Sequence, residues 1–166
     1  VVELEGDVID AQEAITRLLR LQQIVCGWFP AEEKARPIDD KNPRLEALKD
    51  LLGNIDAKVI IWARFRADIA QIERMLGHKA VSYHGGVSND MRAKAVDSFQ
   101  NDPSVRYFIG QPQSGGIGLT LTAASYAIYY SNSFDLETRL QSEDRCHRMG
   151  TTQNVTYIDI ESPKTI

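Results

Sequence analysis

The stretch KVIIWARFRADIAQIERMLGHKAVSYH, residues 58–84, decides the fold class. It opens on Lys58-Val59-Ile60-Ile61-Trp62-Ala63, a continuous apolar run with no in/out alternation, which predicts a strand buried on both faces. A helix follows over about 67–76 and is stopped by Gly77. AVSYH, residues 80–84, is a second strand. A strand, a helix of about ten residues and another strand form a β-α-β unit, and that unit requires a parallel sheet.

The pattern repeats downstream. Ser88 caps a helix running through about Gln100, and Asp102-Pro103 ends it. VRYFIG (105–110), YAIYYS (126–131) and NVTYIDI (154–160) are three more strands. Between them lie a glycine-rich turn with a short helix, then a helix from Leu136 to Arg148. The expectation is an α/β fold with a mostly parallel central sheet.

Upstream, DAQEAITRLLRLQQIV (10–25) carries Ala11, Ala14, Ile15, Leu18, Leu19, Gln22 and Val25 in a helical stripe, with Asp10 as its N-cap. Residues 27–43 hold Gly27, Pro30, Pro37 and Pro43 among charges and read as an exposed connector. RLEALKDLLG (44–53) is a short helix with Leu45, Leu48, Leu51 and Leu52 inward and Gly53 as its stop. The division expected is an N-terminal helix and connector over 1–43 and a lobe over 44–166.

Composition narrows the function. The chain has 166 residues, a net charge of −4 and a hydrophobic fraction of 43%, which suits one packed domain. No apolar run approaches the ~20 residues needed to span a bilayer, and no secretory signal is visible, although the chain reads as a fragment. Cys26 and Cys146 form neither a disulfide framework nor a zinc motif and read as reduced thiols in a cytosolic protein. Residues 1–57 carry 12 acidic and 7 basic side chains, while residues 58–166 carry 11 and 12. A basic face, if present, belongs to the carboxyl two-thirds.

Open parallel sheets bind ligands at the carboxyl ends of their strands. Tyr83-His84-Gly85-Gly86 and Gln111 through Leu119 fall there, together with the helix QSEDRCHRMG (141–150). Gly115, Gly116 and Gly118 let a backbone approach a bulky anion, yet their spacing is neither a Walker A loop nor GxGxxG. Alone they read equally as a tight strand-to-helix turn. Arg145 and Arg148 lie three apart on one helical face, which suits the negative charge of a phosphoryl group in transfer but also a solvated surface pair. His147, Trp62, Phe65, Tyr129 and Tyr130 read as packing residues.

In order, these segments resemble the motifs of superfamily-two helicases of the Swi/Snf type. Lys58–Phe65 resembles motif IV, and Tyr83–Ser88 with Arg92 and Phe99-Gln100-Asn101-Asp102-Pro103 resembles the block that follows it. Ser114–Ala124 is similar to motif V, and Gln141-Ser142-Glu143-Asp144-Arg145-Cys146-His147-Arg148-Met149-Gly150-Thr151-Thr152-Gln153 to motif VI. The resemblance covers about residues 44–166, and the Gly-x-Gly-Leu-Thr-Leu-Thr-Ala-Ala form looks closest to phage or prophage members, which would place the protein in host cytoplasm.

The resemblance implies a three-layer RecA-like lobe of P-loop NTPase type: the C-terminal half of an ATP-dependent translocase that moves along duplex DNA. It implies Arg145 and Arg148 as arginine fingers, and Gln141, Gly116 and Gly118 on the ATP side. It implies His84, Gly85, Ser114 and Gly115 on the DNA side, with backbone contacts. ATP with Mg2+ would be held mainly by a missing N-terminal lobe, since neither GxxxxGK[ST] nor a D-E-x-H box occurs here. This lobe alone would bind no cofactor and hydrolyse no ATP. Departures are Pro112-Gln113 where the family has Thr-Lys, Thr120 for Asn, Ser131–Leu136 for the family's Asp-x-x-Trp-Asn-Pro, and Gly150-Thr151 for Gly-Gln. The second reading is a non-catalytic DNA- or protein-docking module.

Overall fold

The computed structural model describes residues 2–4, 7–9, 11–29, 35–114, 119–133, 135–146, 154–163 and 165. The chain divides into two compact units, 45–160 and 1–44 together with 161–166.

In the larger unit, β5 (Val59–Trp62), β6 (Ala80–Tyr83), β7 (Tyr107–Gly110), β8 (Tyr126–Tyr129) and β9 (Thr156–Asp159) form one sheet in the order β6-β7-β5-β8-β9. Every pairing is parallel. The four residues of β5 are wholly buried, as its unbroken apolar run predicts.

Alternate side chains go to opposite faces. Val59 and Ile61, with Ile109 and Ile128, meet Leu48 and Leu52 of α2 (Pro43–Gly53) and Ile69 and Ile72 of α3 (Arg66–Leu76). Ile60 and Trp62, with Phe108, Ala127 and Tyr129, meet Phe99 of α4 (Asn89–Asn101) and Cys146 of α5 (Leu136–Cys146). Helices therefore cover both faces, the three-layer RecA-like arrangement. Each fully buried Ile, Leu or Phe contributes about 1.5–3 kcal/mol of burial.

Local signals place the helix ends. Ser88 Oγ accepts the Met91 N–H at 3.4 Å as the N-cap of α4. Lys58 Nζ donates to the carbonyls of Phe99 and Asp102 at the other end of that helix, where orphan carbonyls need donors. Gly77 ends α3 at φ 59°, a left-handed value, and its N–H returns to Glu73 O.

The smaller unit differs from expectation. Val2–Leu4 (β1) and Asp7–Ile9 (β2) pair antiparallel, a ladder the sequence reading did not anticipate. Residues 27–43 are more than a connector, because Trp28–Phe29 (β3) pairs antiparallel with Arg36–Pro37 (β4) and Ile38 N–H donates to Gly27 O. Asn42 Nδ2 closes this turn on Cys26 O at 2.9 Å. The helix expected over 10–25 is α1 (Ala11–Val25), but Ile15 in its apolar stripe is 60% exposed. A unit of this size has too little interior to cover every apolar residue. Asp10, its expected cap, lies outside the described residues.

Candidate nucleotide and nucleic-acid face

Because all five strands of the larger unit run parallel, their carboxyl ends open on one edge. The rim there is tied residue to residue. Ala63 N–H donates to Gly110 O, Gln111 N–H to Tyr83 O, and Tyr130 N–H to Trp62 O. Gln111 Nε2 donates to Arg64 O at 2.9 Å, and Ser114 Oγ donates to Gln111 Oε1 at 3.1 Å. Arg64 N–H donates to Ser131 Oγ, whose own hydroxyl donates to the buried carboxylate of Asp68 at 2.8 Å. The residues leaving β5, β6, β7 and β8 thus share one hydrogen-bonded frame.

His84 stands at the end of β6. Its Nδ1 accepts the Gly86 N–H at 3.1 Å, so the proton sits on Nε2. Burial first, then the charge of Arg66, holds its pKa below the usual imidazole value. Arg92 reaches from α4, donates Nε–H to His84 O at 3.1 Å, and lies over the Tyr83 ring. A Cβ on Gly86 would come 2.2 Å from Arg66 Nη2, so the missing side chain is what lets that guanidinium lie there. Nothing lies within 4 Å of a Cβ on the exposed Gly85. His84, Gly85 and two guanidiniums therefore share this corner, beside Ser114 at the end of the neighbouring strand. An open recess of about 640 Å³ borders it, with walls that include Tyr83, Arg92, Gln100 and Thr120.

Helix α5 packs against the 3-10 turn Pro112–Ser114. Its Arg145 is 8% exposed, with Cζ 5.7 Å from the centre of the Trp62 ring. Burial lowers the guanidinium's pKa from its ordinary value. The Arg145 carbonyl accepts the Leu121 N–H at 3.0 Å, which joins α5 to the segment that follows the glycine-rich residues. Gln141 lies exposed one turn earlier, its amide donating to Glu137. Burial pushes the Cys146 thiol up to about 12, so it stays protonated and unreactive. Gly115, Gly116, Gly118 and Arg148 lie outside the described residues. No group of three or more His, Cys, Asp or Glu side chains converges among the described residues. No helix among them is long and apolar enough to cross a membrane.

Residues 43–150 match the family model of the helicase conserved C-terminal domain. The chain belongs to that family. This helicase C-terminal lobe is 32% identical over 129 residues to Helicase SWR1 of Gibberella zeae, covering 74% of the chain and 8% of that protein. It is 33% identical over 152 residues to ATP-dependent helicase fft3 of Schizosaccharomyces pombe, covering 86% of the chain and 16% of the relative. The chain thus spans a small part of the relatives it matches. Among solved structures, the Sulfolobus solfataricus SWI2/SNF2 ATPase core in complex with dsDNA aligns with a TM-score of 0.68 at 25% identity, over 92% of this chain and 34% of that one. The C-terminal part of the Fun30 ATPase domain aligns with a TM-score of 0.68 at 26% identity, over 76% of this chain and 44% of that one. The helicase C-terminal lobe is therefore of the Swi/Snf type within superfamily two, with a RecA-like fold.

Within this lobe the sheet brings His84, Gly85 and Ser114 to one edge. It does not place Gln141 and Arg145 alike, since the first is exposed and the second is buried. Sequence reasoning missed Arg66 as a member of this face. The available signal was a basic residue on either side of Phe65, directly after the carboxyl end of a buried strand.

Proposed function

We propose that this chain is one of the two ATP-binding lobes of a DNA-dependent ATPase that travels along duplex DNA, with residues 44–166 forming the lobe. The supporting observation is the shared edge. The corner of His84, Gly85 and Ser114 and the helix carrying Gln141 and Arg145 both meet the turn that leads into the glycine-rich segment. The solved ATPase core in complex with dsDNA has the same fold over most of this chain.

In this reading His84, Gly85, Ser114 and Gly115 face the DNA backbone, and Arg66 joins them as a cation. The contacts go to phosphates and carry no sequence preference. Gln141, Gly116 and Gly118 face ATP. Arg145 and Arg148 are the fingers that neutralise the γ-phosphoryl group. A guanidinium on an indole ring gains about 2 kcal/mol when desolvated. A charge-assisted, two-pronged bond to phosphate is stronger, so an arriving phosphate draws Arg145 off Trp62. Mg2+ supplies charge neutralisation on the phosphates and belongs with the other lobe, as does the lysine that grips them.

The test is Arg148→Ala in the two-lobe protein. Loss of an arginine finger lowers turnover by about 10³–10⁵-fold. The expected result is DNA-stimulated ATPase near background with the lobe still folded. Near-normal turnover overturns the assignment. No ATPase in the unmutated two-lobe protein, with tight capture of DNA or of a protein, would favour a docking module.

A further inference from the structure

Six residues before Arg145 on α5, Arg139 joins three elements at once. Its Cζ lies 3.4 Å from the centre of the Tyr129 ring on β8. Nη1 and Nη2 donate to the two oxygens of Asp159, the last residue of β9, at 2.6 and 3.1 Å. Nε donates to Glu143 on its own helix at 2.6 Å. Asn132 Nδ2 braces the same Asp159 carboxylate at 2.7 Å. One turn along, Ser142 Oγ donates to Arg139 O, so the 2.6 Å contact between Tyr129 and Ser142 is a bond donated by the phenol.

A lone ion pair in water holds little. This one differs, because the Arg139 side chain is only 24% exposed and its planar fork is occupied on three nitrogens while one face lies on an aromatic ring. A lysine, with a single point of charge, cannot reproduce that arrangement. The helix is thereby fixed in rotation as well as in distance.

We infer that Arg139 is a positioning residue for the ATPase step, clamping α5 to Asp159 and Tyr129 so that Arg145 is presented in one place. The inference rests on the reading of Arg145 as a finger. Side-chain ends on a helix lie about 5–6 Å from its axis, so a rotation of roughly 20° moves them by about 2 Å. A misplacement of about 1 Å can cost ~100-fold in rate.

Two experiments test it. In the two-lobe protein, Arg139→Ala is expected to lower DNA-stimulated kcat by at least about tenfold while KM for ATP stays within about twofold, the pattern of an interaction realised in the transition state. Arg139→Lys should recover only a fraction. The double variant Arg139→Asp with Asp159→Arg should recover more than either single change. In the 166-residue chain, hydrogen exchange at the Leu121 amide, which donates to Arg145 O, should quicken in Arg139→Ala while the amides of β5 keep their protection. An unchanged kcat overturns the inference, and so does faster exchange spread evenly through β5, which would mean general destabilisation. Absence of ATPase in the unmutated protein would sink the finger reading, while exchange at Leu121 would still decide whether Arg139 sets α5.

Discussion

Arg145 holds its guanidinium over the Trp62 indole inside the lobe, Cζ 5.7 Å from the ring centre, one residue from the helix after β8 and the other from the last position of the central strand. The ring is also packed edge-on against Phe108. Trp62→Leu keeps apolar bulk but loses the ring's face, and it should lower stability by about 1–3 kcal/mol. Urea unfolding would show this as a lower midpoint with an unchanged slope.

Asp159 gives the lobe an acid limb. Burial raises its carboxyl pKa, but the hydrogen bonds from Arg139 and Asn132 outweigh burial and hold it below the ordinary value. A folded-state pKa below the unfolded one contributes stability that is present above the unfolded value and is lost as pH falls through the folded one. Asp159→Asn should therefore flatten the decline in stability below about pH 4, as followed by urea midpoints across that range.

Gly85 and Gly86 should both lose duplex affinity on the same change, for different reasons. Gly85→Ala adds a methyl to space open in the lobe itself, so stability should be nearly unaltered, while the methyl holds a DNA phosphate off the backbone and duplex affinity falls. Gly86→Ala puts its Cβ on Arg66, whose flexible end can swing aside. Stability should then change by less than about 0.5 kcal/mol, while affinity for duplex DNA falls. Titration of both variants with one labelled duplex, beside urea unfolding of each, checks both outcomes.

Arg66→Ala tests whether that cation meets a phosphate. Binding should weaken uniformly across DNA sequences, and the slope of log affinity against log salt should shrink by about one unit. An unchanged slope with weaker binding would mean that Arg66 acts only by shaping the His84 corner.

Much of the larger unit was legible because its signals are local. Lys58–Ala63 reads as a doubly buried strand from its unbroken apolar run, Ser88 as a cap from the helix that follows, and Gly77 as a stop from its freedom at positive φ. The candidate site was partly legible, since His84, Gly85 and Ser114 follow strands and parallel strands end together. Arg66 beside Gly86 and Arg139 on Asp159 were not. Each pair is 20 residues apart, and a contact over that distance depends on sheet register rather than on any periodicity along the chain. The pairings of Val2–Leu4 with Asp7–Ile9 and of Trp28–Phe29 with Arg36–Pro37 escaped for a related reason: strands of two or three residues carry no readable alternation.

Apolar runs, caps and stops written in the residues were enough to specify a parallel α/β lobe and the edge on which the carboxyl ends of its strands meet. They act within a few residues of one another, and each has one favoured conformation. The order β6-β7-β5-β8-β9, the burial of Arg145 on Trp62 and the grip of Arg139 on β8 and β9 came from packing. Many side chains compete for those partners, and the choice is made only when both faces of the sheet close and water leaves.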